Sequence, residues 1–343
     1  MKIWLRIHGF EPCSWTFVWD NLNIAFEAQG DEIYYGDKPE NPEEWVEVWW
    51  GDPQYWQWSE LPVKAKIAIA LSEAHSILKS GREMVISNLN DADMIICPSE
   101  FSTIAFKEAP IETPMTVIFF GINPDDFHYV VRDWDSTFGF LHAGVTQFRK
   151  GSWMVPEAFI QAFSEIENAS LTIATPKATD MYIRMKHEYG SHPNINFICD
   201  LKESAFDLYS EHHVYVSPHL SEGFGLMIPE AMSTGMACLV SRCSSPREFF
   251  DKDYGWWVEM SEQCAPIFDC LLETSGHWRV PSIDSLINVM RESFDKRNES
   301  RKKGKLASDY VLKSLTWTIC VTNIKNVIKE VLNAKNISDN SSL

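Results

Sequence analysis

The 343-residue chain carries no CxxC pair, no GxGxxG and no apolar run near the roughly 18 residues that a membrane helix needs. The first absence argues against a zinc cluster or disulfide framework, and the eight cysteines, several inside apolar runs, read as free thiols. The second removes direct support for a dinucleotide cofactor. The third predicts a protein that does not span a membrane. The opening MKIWLRIHGF is too short and too soon interrupted for a secretory signal; it reads as a buried strand ending at Gly9, in a protein expected in the cytoplasm. Positive charge is scarce as well. Thirty Lys and Arg against 48 Asp and Glu give a net charge of −18, which opposes broad attraction to nucleic acid or anionic lipid. Cations cluster only between Arg291 and Lys305, and a solvated helix face is the plain explanation.

What is present fits an ordinary globular composition, 45% hydrophobic, in a chain too long for one core. Short apolar runs, among them Ile3 to Ile7, Val46 to Trp50 and Met94 to Cys97, alternate with helix-compatible stretches. The rhythm repeats from Phe138 with Leu171 to Ala174, Ile195 to Cys199, Val214 to Val216 and Cys238 to Ser241. Alternation of this kind predicts an α/β protein with two Rossmann-like domains and mainly parallel sheets. The expected boundaries are 1–130, 131–310 and a last helix with a frayed tail over 311–343 that crosses back to the first domain, with the linker within 123–137. Fourteen tryptophans, five of them between Trp45 and Trp58, read first as packing and second as surfaces that stack on sugars or bases.

The most informative segment is SEGFGLMIPEAMSTG, residues 221 to 235. Val214 to Val216 read as a strand, Pro218 and Gly223 break it, and Pro229 is tolerated only in a helix's first turn. The order strand, loop, helix leaves Ser217 to Gly225 at the carboxyl edge of a sheet, where open α/β folds bind ligands. Gly223 and Gly225 permit close approach of backbone to a nucleotide's phosphates, and the helix start favours an anion. Ionised carboxylates accept pairs of hydrogen bonds from hydroxyls, so Glu222 suits a sugar and Glu230 a ribose diol.

This segment resembles the signature of family 4 retaining glycosyltransferases of the GT-B fold. Three further pieces follow the family's order: ADMIICPSEF at 92–101, VIFFGINPDDF at 117–127, and FLHAGVTQFRKGSWMVPEAF at 140–159. In its terse loops and Trp-rich first half the chain also resembles phage-encoded members. The resemblance implies two domains facing across a cleft, a nucleotide-diphosphate sugar as donor, and transfer with retention to an acceptor hydroxyl, without metal or other cofactor. Membrane-associated relatives often carry a basic amphipathic patch near the first domain, and its absence here points to a soluble acceptor and no stable membrane association. It assigns Glu222 to the donor sugar's hydroxyls, Phe224, Gly225 and Leu226 to backbone amides on sugar and diphosphate, and Glu230 to the ribose. Lys150 is the first candidate for stabilising the departing diphosphate and Arg149 the second. The family's arginine directly after the glycine matching Gly144 is missing, since Val145 stands there, and Arg149 is the expected substitute.

The carboxyl-edge rule points His8 and Gly9 toward the cleft, His8 as a catalytic candidate and Gly9, like Gly144, as a donor-binding one, and makes Glu73 and His75 acceptor-side candidates, to which the Ser99 of the Pro-Ser piece is added. His219 is the one other histidine that falls in the donor loop. Asp91 with Asp93, and Asp251 with Asp253, superficially look like a metal-binding DxD but read as turn residues. Three alternatives stay open. The acceptor is a hydroxymethylated base in DNA, in which case the location is a phage host's cytoplasm; the chain is an epimerase or a pyridoxal-dependent phosphorylase; or it is a sugar-nucleotide or glycan-binding module without catalysis.

Overall fold

The computed structural model describes residues 1–7, 14–74, 83–199, 205–266 and 277–341. His8, Gly9 and His75 lie outside the described residues. The chain forms two compact units, one containing Met1–Gly121 and Thr316–Leu343, the other Ile122–Cys270 and Gly276–Leu315. The chain therefore changes unit at Gly121–Ile122 and Leu315–Thr316, whereas the sequence placed its boundaries at 130 and 310.

The first unit holds a six-stranded sheet made of β1 (Lys2–Ile7), β2 (Glu32–Tyr34), β3 (Val46–Trp50), β4 (Ala65–Ile69), β5 (Met94–Cys97) and β6 (Met115–Val117), in the order β2-β1-β3-β4-β5-β6. Every pairing is parallel. All five residues of β3 are buried, as expected where helices and loops cover both faces of a parallel sheet. Helices α1 (Ser14–Ala28), α2 (Glu83–Asn90) and α3 (Glu100–Lys107) supply the crossovers. The last helix, labelled α10 (Trp317–Ser341), belongs to this unit. Lys325 meets Asp31 at 2.5 Å, and Lys335 meets Asp93 at 2.6 Å. The early tryptophans are packing residues. Trp45, Trp49, Trp50 and Trp56 are buried, and the Arg6 guanidinium lies 4.6 Å from the Trp4 ring and 4.3 Å from that of Trp49 while donating to Glu47 Oε1 at 2.6 Å.

The second unit repeats the plan with β7 (Phe138–Ala143), β8 (Ala169–Thr175), β9 (Ile195–Cys199), β10 (Val214–Ser217), β11 (Ala237–Ser241) and β12 (Gly255–Val258). Their order is β12-β11-β10-β7-β8-β9, again all parallel. The order of the strands reverses between β7 and β10, so the ligand crevice of an open α/β sheet falls beyond the carboxyl ends of those two strands. Helices α4 (Met154–Ala162), α5 (Asp180–Tyr189), α6 (Ala205–Glu211), α7 (Met227–Ser233), α8 (Ile283–Asp295) and α9 (Arg297–Ser314) complete the unit. Phe138, Phe140, Phe159, Leu171, Val216 and Leu239 lie in one buried cluster.

Two features were not expected from the sequence. An antiparallel hairpin, β13 (Met260–Pro266) with β14 (His277–Pro281), follows β12. Arg132 is the second. Its guanidinium donates to the carbonyls of Tyr209 at 2.7 Å and His212 at 2.6 Å, and to Thr234 through both its carbonyl and its hydroxyl, thereby capping the ends of α6 and α7. Burial lowers its pKa to about 10. The tract from Arg291 to Lys305 is an ion-paired helix face: Arg291 meets Glu167 and Asp295, Lys296 meets Glu292, and Lys305 meets Asp309.

Candidate functional site

Two loops meet at the carboxyl ends of β7 and β10. After Ala143, Gly144 turns the chain at φ +120, where an added Cβ would stand 2.6 Å from Met227 Sδ at the start of α7. After Ser217 comes the segment Pro218 to Glu222. The loops are fixed on each other, because Leu220 N–H donates to the Arg149 carbonyl at 2.7 Å. Gly151 has φ +66, and a Cβ there would fall 1.9 Å from the Pro218 carbonyl oxygen, so only glycine fits this close approach. The consequence is that Arg149, Lys150 and Glu222, far apart in sequence, share one crevice. His142, Lys150, Tyr215, Ser217, Glu222 and Gly225 line a cavity of about 10 Å³, room for a single water.

Arg149 Nη1 lies 3.0 Å from Glu222 Oε2 and Lys150 Nζ 3.2 Å from Oε1, so one carboxylate bridges two cations. Arg149 also donates to the Ser221 carbonyl at 2.6 Å. Burial opposes ionisation of Glu222, whose exposure is 7%, but the two cations outweigh it and hold the carboxyl well below the usual carboxylate range. The main chain of Glu222 is pinned too. Its N–H donates to Ser244 Oγ at 2.9 Å and its carbonyl accepts from Ser245 Oγ at 2.7 Å. Together these three side chains carry a net charge of about +1, a ready attraction for an anion.

Glu230 sits on α7 with Oε2 accepting from Tyr209 Oη at 2.9 Å. Burial pushes its pKa up to about 7, and the Tyr209 hydrogen bond and the Lys150 charge restrain the rise. The expected attraction of a phosphate to the start of α7 is weak on its own, since this helix has seven residues and its macrodipole is correspondingly small. Positive charge comes from Arg149 and Lys150 instead. Gly225 adopts φ +86, Leu226 precedes the helix, Gly223 lies between Glu222 and Phe224, and Phe224 packs on Phe249 with ring centroids 5.0 Å apart. His219 is fully buried, with Nδ1 3.1 Å from the Ser217 carbonyl, and burial lowers its pKa to about 4, which leaves it neutral.

In the first unit, Glu73 is buried after β4. The Ser99 hydroxyl caps α3 by accepting from Ser102 N–H at 3.1 Å. Asp93 accepts from the Lys66 N–H at 2.8 Å, and Asp251 from the Asp253 N–H at 3.1 Å, so one member of each aspartate pair is engaged in a strand or turn. Among the described residues no group of three His, Cys, Asp or Glu is arranged to hold a metal ion.

Sequence reasoning missed the groups that brace this crevice. Trp278, on β14, is fully buried against Leu220 with Phe148 and Trp153 packed alongside, so the hairpin supports both loops from outside. Tyr209 lies in a short helix with no motif around it. His142 carried one signal, its place at the end of a strand.

Residues 139–273 match the family model described as Glycosyl transferases group 1. No curated protein matches the chain by sequence. Sucrose-phosphate synthase of Thermosynechococcus elongatus is similar in structure over 97% of this chain and 99% of its own, with a TM-score of 0.71 and 14% identity. HepE of Anabaena, solved in complex with UDP and glucose, is similar over 96% and 100%, at 0.68 and 12%. WaaG, a glycosyltransferase involved in lipopolysaccharide biosynthesis, is similar over 96% and 99%, at 0.68 and 12%.

Proposed function

We propose that the chain, which has the GT-B fold and whose residues 139–273 match the glycosyltransferase group 1 model, moves a sugar, with retention, from a nucleotide diphosphate to a hydroxyl of a soluble acceptor. The observation that carries this reading is the Arg149–Glu222–Lys150 cluster at the β7–β10 switch point. Breaking the bond from the anomeric carbon to the donor oxygen sends its electron pair onto the diphosphate, and fixed cations stabilise that charge as it develops. The acceptor oxygen bonds the anomeric carbon on the same face, and its proton passes to the departing phosphate oxygen.

Glu222 takes the role of a hydrogen-bond acceptor for sugar hydroxyls. Arg149 and Lys150 hold its two oxygens, which makes it a poor nucleophile. Glu230 accepts from the ribose diol through the carboxylate oxygen that Tyr209 leaves open. Because two protein cations face the diphosphate position, the reaction is proposed to run without a divalent metal. Activity that vanishes in chelator and returns with manganese would contradict that part.

The test is a thermal-shift screen of nucleotide sugars, beginning with UDP-glucose because HepE binds UDP and glucose, followed by donor turnover and proton NMR of the product anomer. A shift with one donor, turnover of it and a retained anomer support the reading. An inverted anomer refutes retention, and binding without any turnover favours a non-catalytic module.

A further inference from the structure

His142 is buried at the end of β7, where it lines the crevice, and takes no part in the chemistry proposed above, yet both its ring nitrogens are engaged. Nδ1 lies 2.9 Å from the Val216 carbonyl oxygen on β10. A carbonyl only accepts, so Nδ1 carries the proton. Nε2 is then a lone-pair acceptor, and Ser152 Oγ stands 2.8 Å from it and donates. The same hydroxyl oxygen lies 3.3 Å from the Gln147 N–H, which donates to it. A continuous chain of hydrogen bonds thus runs from β10 through His142 and Ser152 to Gln147, closing the loop from Gly144 to Ser152 on itself.

That loop carries Arg149 and Lys150. Its other side is tied to α5, where Thr146 Oγ1 meets Thr179 Oγ1 at 2.6 Å and Thr179 Oγ1 donates to the Thr146 carbonyl at 3.1 Å. The chain needs a neutral imidazole, since a protonated Nε2 accepts nothing. Burial lowers the His142 pKa to about 4, the Val216 carbonyl resists this, and the Lys150 charge adds to the lowering. Through the neutral range the ring therefore remains an acceptor for Ser152.

We propose that His142 and Ser152 are positioning residues that hold the 144–152 loop so that Lys150 and Arg149 meet the donor's diphosphate. This rests on the reading of the crevice as the donor site. A long cationic side chain on a loose loop samples many placements, and a displacement of about 1 Å at a reacting group costs on the order of 100-fold in rate.

The experiment measures kcat and KM for donor turnover in Ser152→Ala, His142→Asn, His142→Gln and Lys150→Ala, and in the double variant of Ser152→Ala with Lys150→Ala. Glutamine keeps an acceptor near the Nε2 position, whereas asparagine reaches only the Nδ1 position. The expected result is a fall in kcat of about 10- to 100-fold in Ser152→Ala and His142→Asn, with most activity kept in His142→Gln. Ser152→Ala should cost less once Lys150 is gone than it does alone, because the part of its effect that runs through Lys150 is already lost and only the part through Arg149 remains. Losses that add fully in the double variant, or wild-type kcat in Ser152→Ala and His142→Asn, overturn the inference. Hydrogen exchange at the Gln147 amide separates this failure from failure of the donor reading. A wild type that turns over no nucleotide sugar sinks the donor site, whereas unchanged Gln147 protection in Ser152→Ala sinks the loop brace itself.

Discussion

Arg149 and Glu222 meet at 3.0 Å, with Lys150 3.2 Å from the carboxylate's other oxygen, and all three side chains are largely withdrawn from water. Both cations proposed to stabilise a diphosphate are thus held by one acid. Breaking a buried pair by removing one partner leaves an uncompensated charge, at a cost of roughly 3–5 kcal/mol.

Glu222→Gln should therefore lower thermal stability and abolish most transfer, while a nucleoside diphosphate restores more of the lost melting temperature than it adds to the wild type. Differential scanning fluorimetry with and without UDP reads both. A variant whose UDP-induced shift is smaller than the wild-type shift would contradict the counter-ion role of Glu222.

Donor binding should depend on pH through Glu230. Its carboxyl is raised from 4.5 to about 7 by burial, and the ionised form is the better acceptor for a ribose diol. Donor KM is expected to climb as pH falls below about 7, and Glu230→Gln should flatten that climb. The sign for stability is opposite. A raised folded-state pKa stabilises the protonated native protein, so this group's contribution is full below about 4.5 and lost as pH rises through 7, on the order of 3 kcal/mol in all. Titration of the carboxyl by infrared spectroscopy, with Glu230→Gln as reference, locates the transition.

Arg132→Met should destabilise the second unit by about 3–5 kcal/mol, because the carbonyls of Tyr209, His212 and Thr234 lose charged donors together. Arg132→Lys should recover little, since one ammonium cannot span three carbonyls. Urea denaturation followed by far-ultraviolet circular dichroism measures both, and a loss under 1 kcal/mol in Arg132→Met would show that water replaces the guanidinium.

Trp278→Ala opens a large void beneath the hairpin and should cost about 3–5 kcal/mol, with Trp278→Phe intermediate. Since Trp278 packs on Leu220, and Phe148 packs on the same cluster, the alanine variant should also raise donor KM. An alanine change at Phe159, buried in the core of the same unit, is the control: it should lower stability without the same rise in KM.

Much of this architecture was legible in the chain. The run at Met94–Cys97 coincides with β5 to the residue, because a strand covered on both faces must be apolar throughout and that signal is local. The run at Ile195–Cys199 coincides with β9 as well, although β9 is an edge strand in which only Ile195 is buried and Asn196 is exposed. The hairpin was not legible. β13 reads MSEQCAP, whose polar residues face outward on a two-stranded edge, so no apolar run marks it. Arg132 was equally silent, as a single arginine in a polar stretch gives no sign that it will be buried.

The order of residues by itself determined the alternation of strand and helix, the glycine-bearing loop between Glu222 and Glu230, and the Lys-Gly pair at 150–151. Only the tertiary structure decided that β7 lies beside β10, and hence that Arg149 reaches the carbonyl of Ser221, 72 residues away, and the carboxylate next to it. Periodicity is written in neighbouring side chains, whereas strand order follows from how crossovers pack over the whole sheet, and the charge of the crevice is a property of that order.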